Sequence, residues 1–191
     1  QPIEHLAAMR VIPNFAVIRP ADGNEVREAW KAILEKAKPA GLFLSRQNLR
    51  TVDRTTHGAA SGTAKGAYIL KEASAAAKVI IIATGSEVAL ALDSQIALEA
   101  KGIATRVVSA PCLEWFNDQP QSYRDEVLPR NGALRVSVEA GVSQGWRDYV
   151  GDSGVIISID HFGASAGASK LFTEFGFTAD RIVADIESAL K

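Results

Sequence analysis

Short apolar runs alternate with segments of helical periodicity along most of the chain. The runs predict strands at residues 15–18, 41–45, 79–83, 106–109, 134–139 and 155–159. Strands that are apolar along nearly their whole length are typical of a sheet covered on both faces, and strands separated by helices are usually parallel. We therefore predict an α/β fold with a mostly parallel sheet between two layers of helices, a three-layer αβα arrangement.

The best-marked helix begins near Asp22. Asp22 and Glu25 have the spacing of a capping box, in which side chains at a helix start satisfy free backbone N–H groups. Apolar residues then recur at helical spacing, at Val26, Ala29, Trp30, Ile33, Leu34 and Ala37. This stripe predicts a face packed against a core. Similar patterns predict helices at residues 3–9, 87–101 and 122–128 and two C-terminal helices around 168–175 and 182–190.

A polar stretch divides the chain into two segments. Residues 47–65 are rich in Thr, Ser, Gly and Arg and show no helical or strand periodicity. Such a composition is typical of a connection between domains. We predict a first segment at residues 1–57, a linker at 58–66 and a second domain at 67–191. The chain begins at Gln1 without an initiator Met or a signal sequence, which we interpret as an internal cut in a longer polypeptide.

The composition is typical of a soluble globular protein. Hydrophobic residues make up 47% of the 191 residues, charged residues make up 23%, and the formal net charge is -1. Lys and Arg are scattered, so no basic patch indicates nucleic acid or a membrane surface as a partner. No apolar run approaches the roughly 20 residues of a membrane helix. The single cysteine, Cys112, excludes an internal disulfide and fits a reducing compartment, where it indicates a small buried side chain.

Two arginines follow apolar runs in the first segment, Arg19 and Arg46. Ligands of open α/β sheets usually bind at the carboxyl ends of strands, and a guanidinium suits a phosphate because it makes paired, charge-assisted hydrogen bonds. An anion site and a structural ion pair both remain open for these residues. The strand-to-helix turn Thr84–Glu87 is a weaker candidate anion site, since Ser86 is more simply explained as the helix N-cap.

The sequence Gly141-Val142-Ser143-Gln144-Gly145 matches the G-x-S-x-G motif of serine hydrolases. Asp152, Asp160 and His161 follow it in the order that a hydrolase triad requires. Asp160 and His161, however, are neighbours in sequence and poorly placed to pair with each other. Little more than one strand separates Ser143 from His161, where that fold uses several. A hydrolase is therefore a rival interpretation with little support.

Histidines and aromatic residues add no further chemistry. The three histidines, His5, His57 and His161, lie far apart without carboxylates or Cys at metal-ligand spacing, so we predict no metal site made by this chain alone. Trp115 and Trp146 lie beside other aromatic residues, and we interpret them as packing or interface side chains.

A further set of motifs lies in order along essentially the whole chain, at residues 1–4, 19–25, 45–49, 83–88, 106–109, 137–141, 162–166 and 175–178. Together these motifs resemble transketolase. Ser45-Arg46-Gln47 and Phe162-Gly163-Ala164-Ser165 favour that family over the related pyruvate dehydrogenase beta-type subunits. The chain resembles the end of the family's second, pyrimidine-binding domain and all of its third, C-terminal domain.

The resemblance implies a function. Transketolases use thiamine diphosphate with Mg²⁺ or Ca²⁺ to transfer a two-carbon ketol unit between sugar phosphates in the pentose phosphate pathway. They are cytoplasmic homodimers with active sites between subunits. A dihydroxyacetone synthase is a close relative that the motifs do not exclude. The alternative is an assembly or small-ligand-binding α/β module without catalysis, with Thr84–Glu87 as its anion site.

The resemblance assigns one site residue. Arg46 matches the arginine that binds the substrate phosphate. No catalytic, cofactor-binding or metal-binding residue is carried over, because the family's donor-sugar Asp and His, its cofactor-activating glutamate and its metal-binding segment have no match here. We therefore expect no cofactor bound to this chain alone, no turnover by it, and sugar phosphates and a second subunit as partners.

Overall fold

The computed structural model describes residues 2–191, and Gln1 lies outside the described residues. The strands are β1 (Ala16–Ile18), β2 (Ala40–Leu42), β3 (Tyr68–Lys71), β4 (Val79–Ala83), β5 (Thr105–Ser109), β6 (Leu134–Val138) and β7 (Val155–Ile157). The helices are α1 (His5–Arg10), α2 (Gly23–Lys36), α3 (Glu87–Ala100), α4 (Leu113–Asn117), α5 (Gln121–Val127), α6 (Arg147–Val150), α7 (Ala168–Glu174) and α8 (Ala179–Ala189). A 3-10 helix spans Ala60–Lys65.

The larger sheet has five strands in the order β3-β5-β4-β6-β7. The central strand, β4, pairs in parallel with β5 and β6 and is buried along its whole length. Strand β7 pairs in parallel with β6, whereas β3 joins β5 in antiparallel orientation at the edge. Strands β1 and β2 form a separate parallel pair. The predicted mostly parallel sheet is confirmed.

The edge strand β3 is the one element of this sheet that the apolar pattern does not predict. Its four residues alternate between buried and half-buried positions, and its register shifts between Ile69 and Lys71. A short edge strand needs apolar residues on one face only. Its apolar run, Tyr68–Leu70, is shorter than that of β4 and closely follows the polar stretch, so it is a weaker strand signal.

Helices cover both faces of the sheet, as the three-layer prediction requires. Along β4, Val79, Ile81 and Ala83 belong to one core cluster with α3 and α8. Ile80 and Ile82 point to the opposite face and pack with α4, α5 and α6. Among residues 2–191, no helix is both long and apolar enough to cross a bilayer.

The start of α2 has the predicted cap. The Asp22 side chain accepts a hydrogen bond from the Glu25 backbone N–H at 2.9 Å. The Glu25 carboxylate accepts from the N–H of Ala21, one residue before the cap, at 2.7 Å. These paired hydrogen bonds fix where the helix begins.

The predicted apolar stripe of α2 is wrong for three of its residues, of which Ala37 is exposed at the C-cap. Ala29 and Ala32 are buried, whereas Trp30 is 52% exposed and Leu34 is 73% exposed. The helix buries its small residues because β1 and the 3-10 helix pack on that side. No described residue covers Trp30 and Leu34 to the same extent, so their apolar surface remains open.

The polar stretch predicted as a linker is folded and packed. Within it, Ala60 and Thr63 are buried in the 3-10 helix. Gly66 ends that helix at φ 89°, and a Cβ there would lie 2.2 Å from the Phe116 backbone nitrogen. A side chain at this position would therefore force two backbone segments apart. The domain boundaries at residues 57 and 67 remain a prediction.

The first segment shares a core cluster with the second. Ala29 and Ala32 of α2 pack with Cys112 and Trp115, which lie at the start of α4 and within it. Cys112 is buried, as predicted. Burial raises the pKa of its thiol, and the nearby Glu114 carboxylate adds to this rise. The thiol is therefore protonated at neutral pH and acts as a packing group.

Candidate functional site

The carboxyl ends of β4 and β6 carry a buried carboxylate. Glu139 directly follows β6 and accepts two hydrogen bonds from the Arg10 guanidinium, both at 2.7 Å. It also accepts from the Thr84 hydroxyl at 2.6 Å and from the Trp146 indole N–H at 3.2 Å. Its side chain is 1% exposed and that of Arg10 is 12% exposed. The carboxylate therefore has all its partners within the protein.

A second buried ion pair lies beside the first. Arg19, which follows β1, forms an ion pair with Glu87 in the first turn of α3. Its guanidinium also donates to the Thr84 carbonyl at 3.1 Å and hydroxyl at 2.9 Å. Glu87 accepts from the Ala140 N–H at 2.9 Å. We call Arg10, Arg19, Thr84, Glu87 and Glu139 the strand-end network.

The strand-end network excludes an anion site at Thr84–Glu87. The Arg19 guanidinium already fills this turn, and a Cβ at Gly85 would lie 2.8 Å from it. Ser86 occupies the predicted N-cap position of α3, but its hydroxyl donates to the Glu87 carboxylate and makes no capping hydrogen bond. Ser86 also has helical backbone angles, φ -60° and ψ -25°, whereas a capping residue has non-helical ones. Arg19 is a structural ion-pair residue.

The electrostatic balance of the strand-end network follows from its pairing. Burial by itself raises the pKa of Glu139, because a low-dielectric surrounding disfavours charge. The charge of Arg10 and its hydrogen bonds outweigh burial and lower the pKa of Glu139 to about 2. Glu139 is therefore ionised at neutral pH and neutralises the buried guanidinium.

Glu25 occupies the end of β5 in a similar way. It accepts hydrogen bonds from the Tyr68 and Ser109 hydroxyls, both at 2.6 Å. Burial is the largest influence and raises the pKa of Glu25. Asp22 pairs with Arg54 at 3.1 Å nearby. The edge of the sheet where a ligand was expected is thus closed by the first segment.

Sequence reasoning missed Arg10 and Glu139, and it included Glu87 only as part of a candidate anion-binding turn. The available signal was a charged residue placed directly beside a buried element: Glu139 follows the apolar end of β6, and Glu87 begins α3 after β4. Charged residues at fully buried positions are nearly always paired. That rule indicates that each needs a partner, but it does not identify the partner.

Arg46 lies in a different environment. It is exposed in the loop after β2, and its side chain makes no hydrogen bond or ion pair to any residue between 2 and 191. Together with Gln47 it lines a cavity of about 560 Å³. The other lining residues come from the second segment, at Ala166, Gly167, Ala168, Leu171 and Phe172. The Arg46 guanidinium is available to an anion.

The G-x-S-x-G motif does not form a catalytic triad. The Ser143 backbone N–H donates to Asp160 at 2.8 Å. His161 Nδ1 lies 2.8 Å from the Phe162 carbonyl, and the imidazole ring packs edge-on against Phe175. Within residues 2–191 no hydrogen bond joins Ser143 to His161, so the serine lacks the histidine base of a hydrolase triad. The same part of the chain contains no group of three His, Cys, Asp or Glu side chains arranged to hold a metal ion.

Two family models match the chain. A family model described as the transketolase pyrimidine binding domain matches residues 1–52, and one described as the transketolase-like TK C-terminal domain matches residues 66–178. The chain is 50% identical over 198 aligned positions to the transketolase of Mycobacterium tuberculosis (strain ATCC 25618 / H37Rv), covering 100% of this chain and 28% of that protein.

Solved structures give the same result. The Pichia stipitis transketolase in complex with sedoheptulose-7-phosphate has a TM-score of 0.90 and 38% identity, covering 99% of this chain and 27% of that one. A split-gene transketolase, solved as an inactive β4 tetramer, has a TM-score of 0.76 and 27% identity, covering 100% of this chain and 62% of that one.

The fold and the matches to known proteins place the chain in a class of α/β proteins. In this class the end of a pyrimidine-binding domain packs against a C-terminal domain. The chain belongs to the transketolase family. It spans about 28% of the length of the curated relatives that it matches.

Proposed function

We propose that this chain is the C-terminal portion of a transketolase, which transfers a two-carbon ketol unit from a ketose phosphate to an aldose phosphate. The observation that carries the proposal is the unpaired guanidinium of Arg46 at a cavity between the two segments. The family membership and the sugar phosphate bound to the Pichia stipitis relative support it. In this proposal residues 1–57 are the end of the pyrimidine-binding domain, residues 58–66 are a connection, and residues 67–191 are the C-terminal domain.

Arg46 would bind the phosphate end of the substrate. A guanidinium presents its N–H groups in a fixed fork that matches two phosphate oxygens. Binding energy from this remote end orients the reacting carbon atoms, which lowers the entropy that the chemical step must lose. The role of Arg46 is therefore positioning of the substrate.

Thiamine diphosphate with Mg²⁺ or Ca²⁺ is the cofactor of the proposed whole enzyme, and when bound it supplies the stabilised carbanion that ketol transfer needs. The described residues do not fit a site for this cofactor. Their buried carboxylates Glu25, Glu87 and Glu139 are already hydrogen-bonded to protein donors. Other parts of the enzyme would hold the cofactor, and we expect the chain alone to be inactive.

The proposed enzyme is a cytoplasmic homodimer of the pentose phosphate pathway. The lone buried Cys112 is consistent with a reducing compartment. The exposed apolar side chains Trp30 and Leu34 on α2 support a contact with further protein surface, because apolar residues on a helix face usually pack against something.

An assay of ketol transfer tests the proposal. We expect no activity from the 191-residue chain with thiamine diphosphate and Mg²⁺, and activity when the remaining portion of the enzyme is supplied as a separate chain. In the active mixture, Arg46→Ala should raise the KM for phosphorylated substrates by about 10- to 100-fold, the value of a lost charge-assisted hydrogen bond. Activity of the chain alone would contradict the proposal.

The second candidate is an assembly module without catalysis. The saturated strand-end network favours it, because that edge of the sheet holds two parts of the chain together and offers no ligand site. Calorimetric titration of a sugar phosphate into wild type and Arg46→Ala separates the candidates. Absence of sugar-phosphate binding that depends on Arg46 would favour the assembly module.

A further inference from the structure

The cavity at Arg46 has walls from both parts of the chain. Arg46 and Gln47 contribute one side from the loop after β2. The other side consists of a loop and the α7 helix of the second segment, at Ala166, Gly167, Ala168, Leu171 and Phe172. We call these last residues the 166–172 wall. A pocket for the substrate phosphate would therefore depend on both segments.

The 166–172 wall is held in place by the main core. The Phe172 ring packs edge-on against Phe177 with ring centres 5.7 Å apart, and the Phe177 N–H donates to the Phe172 carbonyl at 2.7 Å. Phe177 is 2% exposed within the core cluster that includes α3 and α8. The Phe172 end of the wall is thus fixed by the core before any ligand arrives, which favours selective binding.

The chemistry of the wall suits an anion beside Arg46. Arg46 is the only ionisable residue among the described residues that line the cavity, so no carboxylate there competes for its guanidinium. The wall residues carry no side-chain charge and no side-chain hydrogen-bonding group, so they do not compete with a phosphate for the guanidinium. Ala166, Gly167 and Ala168 are small, and a Cβ at Gly167 would meet nothing within 4 Å. The wall therefore leaves room next to the charge.

We propose that the 166–172 wall determines how well the enzyme distinguishes phosphorylated from unphosphorylated substrates. This inference rests on the proposed function, and it assigns to the C-terminal domain a part in substrate recognition beyond assembly. The wall supplies shape and low polarity, while Arg46 supplies the charge.

The proposal is tested in the complete enzyme with a variant whose larger side chain in the wall reduces the volume of the cavity. Ala166→Leu adds a bulky side chain in the wall, and Ala184→Leu adds the same atoms at an exposed position on α8 outside the cavity. The readout is the KM for a ketose phosphate divided by the KM for an unphosphorylated ketose. We expect Ala166→Leu to raise this ratio about tenfold, because small steric changes in a pocket alter selectivity by that order. Ala184→Leu should leave the ratio at the wild-type value.

A gentler variant guards against misfolding. Gly167 has φ -61°, which any residue adopts, so Gly167→Ala should fold normally and raise the ratio by a smaller factor. Arg46→Ala is measured in parallel. An increase with Arg46→Ala but not with either wall variant would overturn the wall while leaving the proposed function standing. If Arg46→Ala also leaves the ratio unchanged, the phosphate site itself is wrong, and both proposals fail.

Discussion

Arg19 and Arg46 follow the two strands of the small sheet, yet they have opposite environments. Arg19 is 12% exposed and paired with Glu87 across the interface between the segments. Arg46 is exposed and makes no hydrogen bond or ion pair to residues 2–191. Both positions obey the rule that polar side chains at strand ends are candidates for ligand binding. What separates them is whether a buried carboxylate faces the guanidinium.

The strand-end network and the cavity at Arg46 have different tasks. A buried guanidinium must be neutralised within the fold, since an unpaired buried charge is strongly unfavourable. An exposed guanidinium keeps its hydration and can exchange it for a phosphate. The first arrangement joins the segments, and the second leaves a charge available at their boundary.

The largest expected effect comes from breaking the buried pair. Glu139→Gln removes the charge that compensates Arg10 while keeping the size of the side chain. We expect the free energy of unfolding to fall by about 3–5 kcal/mol, the usual effect of leaving one partner of a buried ion pair uncompensated. Urea denaturation measures it through the midpoint at constant slope.

Glu187→Gln is the matched control. Glu187 pairs with Lys101 at 2.8 Å, but both side chains are well exposed, at 36% and 49%. Exposed pairs contribute less than about 1 kcal/mol because water and salt screen them. Equal losses in the two variants would show that burial does not distinguish the strand-end network from a surface pair.

The next largest effect is the sensitivity of the network to acid. The pKa of Glu139 falls from 4.5 to about 2 on folding. A carboxylate with a lowered folded pKa contributes its full stabilisation above the unfolded pKa and loses it as pH falls through the folded pKa. Between pH 4.5 and 2 we therefore expect Glu139 to account for a loss of about 3 kcal/mol in wild type, at 1.36 kcal/mol per pKa unit. Other carboxyl groups titrate in both proteins, so the difference in unfolding free energy between wild type and Glu139→Gln should shrink by that amount.

The stability contributed by Glu25 depends on pH in the opposite direction to that contributed by Glu139. Burial raises its pKa, so its contribution is complete below the unfolded pKa and is lost as pH rises toward the folded pKa. The difference in unfolding free energy between wild type and Glu25→Gln should therefore decrease with rising pH, whereas the difference for Glu139→Gln increases. Parallel pH slopes for the two variants would contradict the assigned environments.

A smaller effect is expected from the turn that Arg19 fills. Gly85 has φ 53°, and a Cβ there would lie 2.8–2.9 Å from Arg19 side-chain atoms. Gly102 has φ 73° with nothing within 4 Å of its added Cβ. Both alanine variants lose about 1 kcal/mol for the left-handed backbone. We expect Gly85→Ala to lose about 1–2 kcal/mol more, since Arg19 must move. Thermal unfolding of the two variants measures the difference.

Much of the fold was predictable because its strongest signals are local. The run Val79–Ala83 is apolar throughout, and the structure places it at the centre of the sheet, buried on both faces. The start of α2 was predictable from Asp22 and Glu25, because their spacing is that of a capping box, which satisfies free backbone N–H groups at a helix start. Trp30 and Leu34 were mispredicted because periodicity identifies an apolar face but not what covers it.

The candidate site was less predictable because its decisive contacts are between distant residues. Arg10 and Glu139 are 129 positions apart, and no local pattern joins them. The sequence also does not show which residue pairs with each arginine, so Arg19 and Arg46 are equivalent candidates at that level. The resemblance to transketolase selected Arg46, and the structure adds the reason that Arg19 is unavailable: its guanidinium is already paired with Glu87.

The smallest expected effect on the free energy of unfolding is that of removing the Arg46 side chain. Arg46→Ala should change the free energy of unfolding by no more than about 0.5 kcal/mol, because the side chain is exposed and has no partner among residues 2–191. Arg19→Ala, measured in the same urea series, should instead lose several kcal/mol, as Glu87 would stay buried without its cation. A loss above about 1 kcal/mol for Arg46→Ala would mean that the fold itself uses this guanidinium. A neutral result would leave the Arg46 side chain free to serve an anionic ligand, since removing it would then cost the fold nothing measurable.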